Sequence, residues 1–216
     1  MKSFFVNYLV LAALVATAAF TSCNKDDDKD DGGGKITATV ENGSKYDNQI
    51  VKVKLVSMKD DSEIASGSWS KGGFTIVLPA TVDAKYLDTE DEDDYGEGVT
   101  VSNKNAKTVW FDIYGYDKDD KYVTSFGLGK SDDSSESYAW YVYSDGDVNI
   151  SGTEEEEYEY DGGHKEISTY SVTLKKGWNV VYDTHSESTQ GGKRLYNGTL
   201  TSTPVSGLKW YSDEDF

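Results

Sequence analysis

From Lys35 onward the apolar residues recur in steps of two. Val51, Val53 and Leu55 alternate with Lys52 and Lys54, and Phe74, Ile76 and Leu78 alternate with Thr75 and Val77. Successive side chains of a strand point to opposite faces, so this spacing predicts half-buried β-strands. The same alternation runs through Val109/Phe111/Ile113, Tyr138/Trp140/Val142, Tyr170/Val172/Leu174 and Trp178/Val180/Tyr182. No segment carries an apolar stripe of helical period, and Val82 to Glu90 could form at most a short helix after Pro79. Asp145-Gly146 and Asn197-Gly198 each supply two residues tolerant of positive φ and predict tight hairpins. Lys71-Gly72-Gly73 and Lys176-Gly177 predict further turns. The expected fold is all-β, an antiparallel β-sandwich of about ten to twelve short strands. A closed β-barrel is the alternative. Lys59-Asp60-Asp61 before Ile64-Ala65-Ser66 has a counterpart in Lys118-Asp119-Asp120 before Val123-Thr124-Ser125. That similarity fits either a faint duplication or two hairpins using the same polar turn residues.

The start of the chain reads differently. Lys2 precedes a predominantly apolar stretch from Phe4 to Phe20, and the small residues Thr21 and Ser22 lead to Cys23, the only cysteine. Residues 1–22 therefore read as a secretory leader. With a single thiol no internal disulfide can form, so stability must come from buried area and sheet hydrogen bonds. Residues 23–34 follow as an acidic, glycine-ended tether, Cys-Asn-Lys-Asp-Asp-Asp-Lys-Asp-Asp-Gly-Gly-Gly, in which nothing can bury a core. The body is 35–216, and a division into two closely packed sub-domains would fall near 80–105.

Phe20-Thr21-Ser22-Cys23 resembles the bacterial lipobox, which implies acylation of Cys23 and anchoring to a membrane. Lys25-Asp26-Asp27-Asp28 behind it resembles the acidic export signal of Bacteroidetes surface lipoproteins. That implies an outer-membrane location facing the cell exterior. Ile36 to Pro79, with Lys71-Gly72-Gly73-Phe74-Thr75-Ile76 and Leu78-Pro79, resembles the immunoglobulin/transthyretin-like and carboxypeptidase-regulatory-like β-sandwich modules. Ser171 to Asn179 and Gly207 to Tyr211 are similar to uncharacterised Bacteroidetes cell-surface lipoproteins, a resemblance that implies a location and a fold but no activity.

The function classes are narrowed mainly by charge. Thirty-nine Asp and Glu against 21 Lys and Arg give a formal net charge of −18, and phosphate recognition needs a basic surface, so no nucleic-acid partner is expected. The chain has no Gly-x-Ser-x-Gly, HExxH, Walker loop or dinucleotide fingerprint. His164 and His185, the only histidines, fall in polar runs that read as solvated loops. The expectation is a non-enzyme, the lower alternative being a small glycoside hydrolase using two carboxylates. Acids concentrate in 88–97, where Asp91, Asp93 and Asp94 are weak calcium-ligand candidates, and in Glu154 to Glu157 with Glu159 and Asp161, read as a second loop. Otherwise no cofactor is expected. The aromatic residues carry the functional hint. With Val109/Phe111/Ile113 inward, Trp110, Tyr114 and Tyr116 share the opposite face around Asp112, and Tyr141 and Tyr143 likewise oppose Tyr138/Trp140/Val142. Aromatic planes stack on the C–H faces of sugars and carboxylates accept their hydroxyls, so Trp110, Tyr114 and Tyr116 form a candidate ligand-binding strip. The leading expectation is a non-catalytic module binding a glycan or a protein. A structural or adhesive envelope component is second.

The Cys23 reading has a direct check. Cys23→Ala in the full chain should abolish incorporation of radiolabelled fatty acid and release the protein from the membrane fraction. Undiminished labelling of the variant would overturn the assignment.

Overall fold

Alternating apolar residues form strands because each strand can then give one face to a shared core. The computed structural model describes residues 32–89, 95–132, 134–159 and 163–215. Cys23, the leader and most of the tether lie outside them. Fourteen strands are seen: β1 (Gly32–Thr39), β2 (Lys52–Ser57), β3 (Glu63–Ser70), β4 (Gly73–Pro79), β5 (Asp88–Thr89), β6 (Val99–Val101), β7 (Lys107–Tyr116), β8 (Tyr122–Ser131), β9 (Ser135–Ser144), β10 (Val148–Tyr158), β11 (His164–Leu174), β12 (Gly177–Gln190), β13 (Lys193–Thr201) and β14 (Lys209–Ser212). The helical content of the described residues is two short 3-10 turns, Gly43–Tyr46 and Ala84–Tyr86, the second inside the stretch expected to be helical at most.

The strands join in one mixed sheet of order β1-β4-β3-β2-β7-β8-β9-β12-β13-β11-β10-β6, with β14 on β8 and β5 on β7. It is nearly all-β, as expected, and the sheet does not close into a barrel. A single parallel bridge, Val40 to Trp210, brings the end of β1 against β14. The pairings are antiparallel except for β11 with β13, which run parallel from His164/Arg194 to Ser171/Thr201. This departs from a purely antiparallel sheet, and the cause is local. Only Lys175 and Lys176 separate β11 from β12, yet the two strands diverge, and β13 fills the fork by pairing with both.

Two cores result. The larger gathers Ile36, Val53, Leu55, Ile76, Leu78, Phe111 and Ile113 with an aromatic cluster around Phe126, where Trp69 stacks at 5.1 Å and Phe74 lies at 5.5 Å. The smaller contains Val99, Val101, Val148, Ile150, Val172 and Leu174 packed on Val142 and Val181. β9 and β12 wall both: Tyr141 and Tyr143 enter the larger core and Val142 the smaller, while Val180 and Val181 divide in the same way.

Several turn expectations are corrected. Lys71-Gly72 does form the β3–β4 hairpin, with φ of 52° and 72°. Asn197-Gly198 instead lies inside β13, where pairing on both sides overrides its turn preference. The β12–β13 hairpin uses Gly191-Gly192, at φ 61° and 84°. Asp145-Gly146 carries the chain from β9 to β10, which are not partners, and Asp145 accepts the backbone N–H of Lys107 at 2.7 Å. The two Lys-Asp-Asp runs both cap hairpins, with Asp61 at φ 57° and Asp120 at φ 58°. Turn chemistry is sufficient to account for their likeness.

Because β9 and β12 belong to both cores, damage to the smaller core should not unfold it separately. Ile150→Ala, at a fully buried site, should cost about 2–5 kcal/mol. Denaturant melts followed by tryptophan fluorescence and by circular dichroism should keep a common, single midpoint. Two separated transitions would contradict the shared-wall architecture.

Candidate binding surface

The face of β7 opposite the larger core carries Trp110, Asp112, Tyr114 and Tyr116 at alternate positions. Register extends this face sideways. Lys54 lies opposite Tyr114 and Lys52 opposite Tyr116 on β2, and Tyr122 lies opposite Tyr116 on β8. On the other side Trp110 pairs with Val142, so Tyr138 and Trp140 of β9 share the face as well. The layer formed by β6, β10 and β11 covers Val142 and Val181 and reaches Trp110. Beyond that point the aromatic side chains are half-buried, and Tyr122 is 54% exposed.

The expected strip therefore exists, with its members in different settings. Trp110 packs on the smaller core. Tyr114 and Tyr116 surround Tyr122, at ring-centroid distances of 5.7 and 6.5 Å, both edge-on. The reading of β9 is corrected: Tyr141 and Tyr143 are buried in the larger core, while Tyr138 and Trp140, expected to point inward, stand on the outer face with rings 6.4 Å apart. The period of two was legible there, but not which phase faced the larger core, because Val142 is itself buried on the outer side.

The polar atoms of this face are already organised. Tyr114 donates its hydroxyl to Asp112 at 3.0 Å, and Tyr138 to Glu136 at 2.7 Å. Burial, and then the Asp112 carboxylate, push the Tyr114 phenol well above its ordinary value. Burial, with Glu136 second, pushes Tyr138 up to about 12. Both groups are thus hydroxyl donors across the physiological range. Lys54 bonds Asp120 at 2.7 Å and lies 4.1 Å from the centre of the Tyr116 ring.

A groove opens on the face, and a small gap lies in the sheet between the face and the larger core. β7 pairs with β9 as far as Phe111/Tyr141 and with β8 from Ile113/Phe126, while β8 reaches β9 at Leu128/Ala139. A gap of about 40 Å³ remains where the three strands part, lined among others by Asp112, Gly127, Tyr138 and Trp140. At the covered end, Met58, Thr89, Thr108, Trp110 and Trp140 line a groove of about 380 Å³.

A separate polar cleft of about 590 Å³ follows the far ends of β9, β11, β12 and β13, with Glu136, Glu166, His185, Glu187 and Tyr196 in its wall. His164 and His185, expected in loops, stand on β11 and β12, where each ring Nε2 meets a carboxylate, Glu166 at 3.2 Å and Asp183 at 2.8 Å. Glu154 to Glu157 form part of β10, so their side chains alternate between faces and do not converge as a loop would make them. Among the described residues no three His, Cys, Asp or Glu side chains group to hold a metal ion. Asp91, Asp93 and Asp94 lie outside the described residues. Comparison with protein-family models, with curated proteins and with solved structures finds no match.

The different settings of the strip residues predict different stability effects. Trp110→Ala should lower unfolding free energy by about 1–3 kcal/mol, less than emptying a complete core site. Tyr116→Ala, on the solvent side, should change it by under about 1 kcal/mol. Urea melts of the two variants measure the contrast, and equal losses would contradict it.

Proposed function

We propose that this chain is a non-catalytic binding module, held at a bacterial outer-membrane surface by acylated Cys23, and that its aromatic face takes a carbohydrate. One observation carries the reading. A sheet face that could have been sealed by the second layer is left half uncovered, and the uncovered part holds Tyr114, Tyr116, Tyr122, Tyr138 and Trp140 beside Asp112. Large aromatic planes with polar tips suit a ligand that has both C–H faces and hydroxyls. Asp112 and Glu136 serve as acceptors fixed by tyrosine hydroxyls. Strand addition, as a structural or adhesive component would use, finds less support at β10. Its segment beyond the β6 pairing carries Glu154 to Glu157, and such charge guards an edge strand against pairing.

The test uses the full chain in a sugar-free detergent, screened on immobilised glycans of every charge class. Wild type should be retained by at least one glycan. Tyr114→Ala and Trp140→Ala should each weaken that retention about tenfold or more. Failure of wild type to bind any glycan would overturn the reading.

A further inference from the structure

The charge and shape of the aromatic face narrow its ligand further, on the assumption that it takes a carbohydrate. Four of the lysines beside it are already engaged. Lys52 bonds Glu63 at 3.1 Å, Lys54 bonds Asp120 and also Glu63, and Lys59 at the groove bonds Asp88 at 2.6 Å. Lys209, on β14 opposite Gly129, lies 3.4 Å from Glu41. An anionic ligand would have to share each of these cations with a carboxylate already beside it. Lys54 would also leave the face of the Tyr116 ring. The protein's net charge of −18 adds a longer-range repulsion of polyanions.

Three further carboxylates are engaged by hydroxyls instead. Asp112 receives Tyr114, Glu136 receives Tyr138, and Asp213 receives Tyr122 at 3.1 Å as well as Thr124. This Tyr–carboxylate pairing recurs three times along one face. Each phenol proton is used inside its pair, so a ligand meets oriented acceptors, the remaining lone pairs of carboxylate and phenol, which suit the O–H donors of a surface of hydroxyls.

Shape adds a length. From Trp110 to Tyr116 the strip follows β7 for about 20 Å, at the rise of an antiparallel strand. Tyr122 widens one end, and the Trp110/Trp140 groove lies at the other. The hollow between them, about 40 Å³, has room for about one water and none for a sugar ring. A ligand using both ends must therefore lie along the strip and not sink into its middle.

We infer that the ligand is an uncharged, linear glycan several sugar units long, laid along β7 from the Trp110/Trp140 groove to Tyr116 and Tyr122. It is recognised by stacking and hydroxyl hydrogen bonds, without a compensating ion pair.

Affinity gels test this with the full chain in sugar-free detergent. They contain mannan, xylan, starch or laminarin as neutral polymers, and polygalacturonate, heparin or chitosan as charged ones, each at low and high salt. Retardation by a neutral polymer, equal at both salt levels, is expected. Calorimetry with the matching oligosaccharide series should show affinity rising about tenfold or more from the monosaccharide before levelling off. Tyr122→Ala, at one end of the strip, should make it level off at a shorter oligosaccharide. Retardation confined to a charged polymer and lost in salt would overturn the inference while leaving carbohydrate binding intact. So would full affinity for the monosaccharide. Absence of binding to every polymer would overturn both this inference and the function it rests on.

Discussion

The pairing of β9 with β12 is the constraint on which the rest of the molecule depends. Its register runs from Gly177/Ser144 to Ser186/Ser135, and toward Ser144 both faces of β9 are buried while those of β12 are buried or half-buried. A strand buried on both faces cannot alternate apolar with polar. β9 meets this demand with Tyr-Val-Tyr at 141–143, and β12 with Val-Val-Tyr at 180–182. The same strand pair also reaches across to the first hairpins. Trp178 of β12 donates its indole N–H to the carbonyl of Pro79 at the end of β4, at 2.8 Å. Gly33 sits so close under this contact that a β-carbon there would lie 2.2 Å from the Pro79 oxygen. Indole, proline carbonyl and glycine together join the beginning of β1 to the centre of the fold.

The sheet can carry a second core because of the divergence of β11 and β12. Near Lys175 and Lys176 the two strands are close in sequence, and Val172 and Leu174 pack with Val181 across the smaller core. Farther on, β13 enters between them and restores a continuous sheet. Above Tyr170 and Leu200 the sheet has no apolar residue in either core, and it persists as paired strands rich in Ser, Thr, Tyr and Glu. Cross-strand pairs such as Glu157/Lys165 and the stacked Tyr158 and His164, 4.6 Å apart, act there in place of burial.

What could be read from the sequence follows from this architecture. Where a strand has one face in the larger core and one in solvent, alternation located the core correctly, as at Val53/Leu55, Phe74/Ile76/Leu78 and Val109/Phe111/Ile113. Val51 is the exception in its run. It lies just before β2 begins and is 52% exposed. Where both faces are buried, alternation fixes the period but leaves the phase open, and Tyr138/Trp140 were therefore placed on the wrong side. The acidic run at 154–157 reads as a loop because charge usually marks solvent. An edge strand with solvent on both faces satisfies the same charge, and nothing local distinguishes the two. Of the aromatic face, Trp110, Asp112, Tyr114 and Tyr116 are legible because they lie on one strand. Tyr122, Tyr138 and Trp140 join them only through register between strands distant in sequence.

The same geometry explains why the aromatic face can exist without destabilising the protein. An uncovered row of large side chains on a monomer ordinarily invites association. Here three polar tips are tied down, Tyr114 to Asp112, Tyr138 to Glu136 and Tyr122 to Asp213, and the Tyr116 ring lies beneath Lys54. The rings stand edge to face, at 5.7 and 6.5 Å around Tyr122, and not as one flat apolar sheet. Fixing the side chains in this way removes much of the rotamer entropy that a ligand would otherwise have to quench on binding. It also surrounds the rings with carboxylates, which keep like-charged copies of the chain apart. On the proposed reading, a face built on these terms would be pre-ordered for an uncharged partner, and its carboxylates would oppose pairing with a second copy of the chain.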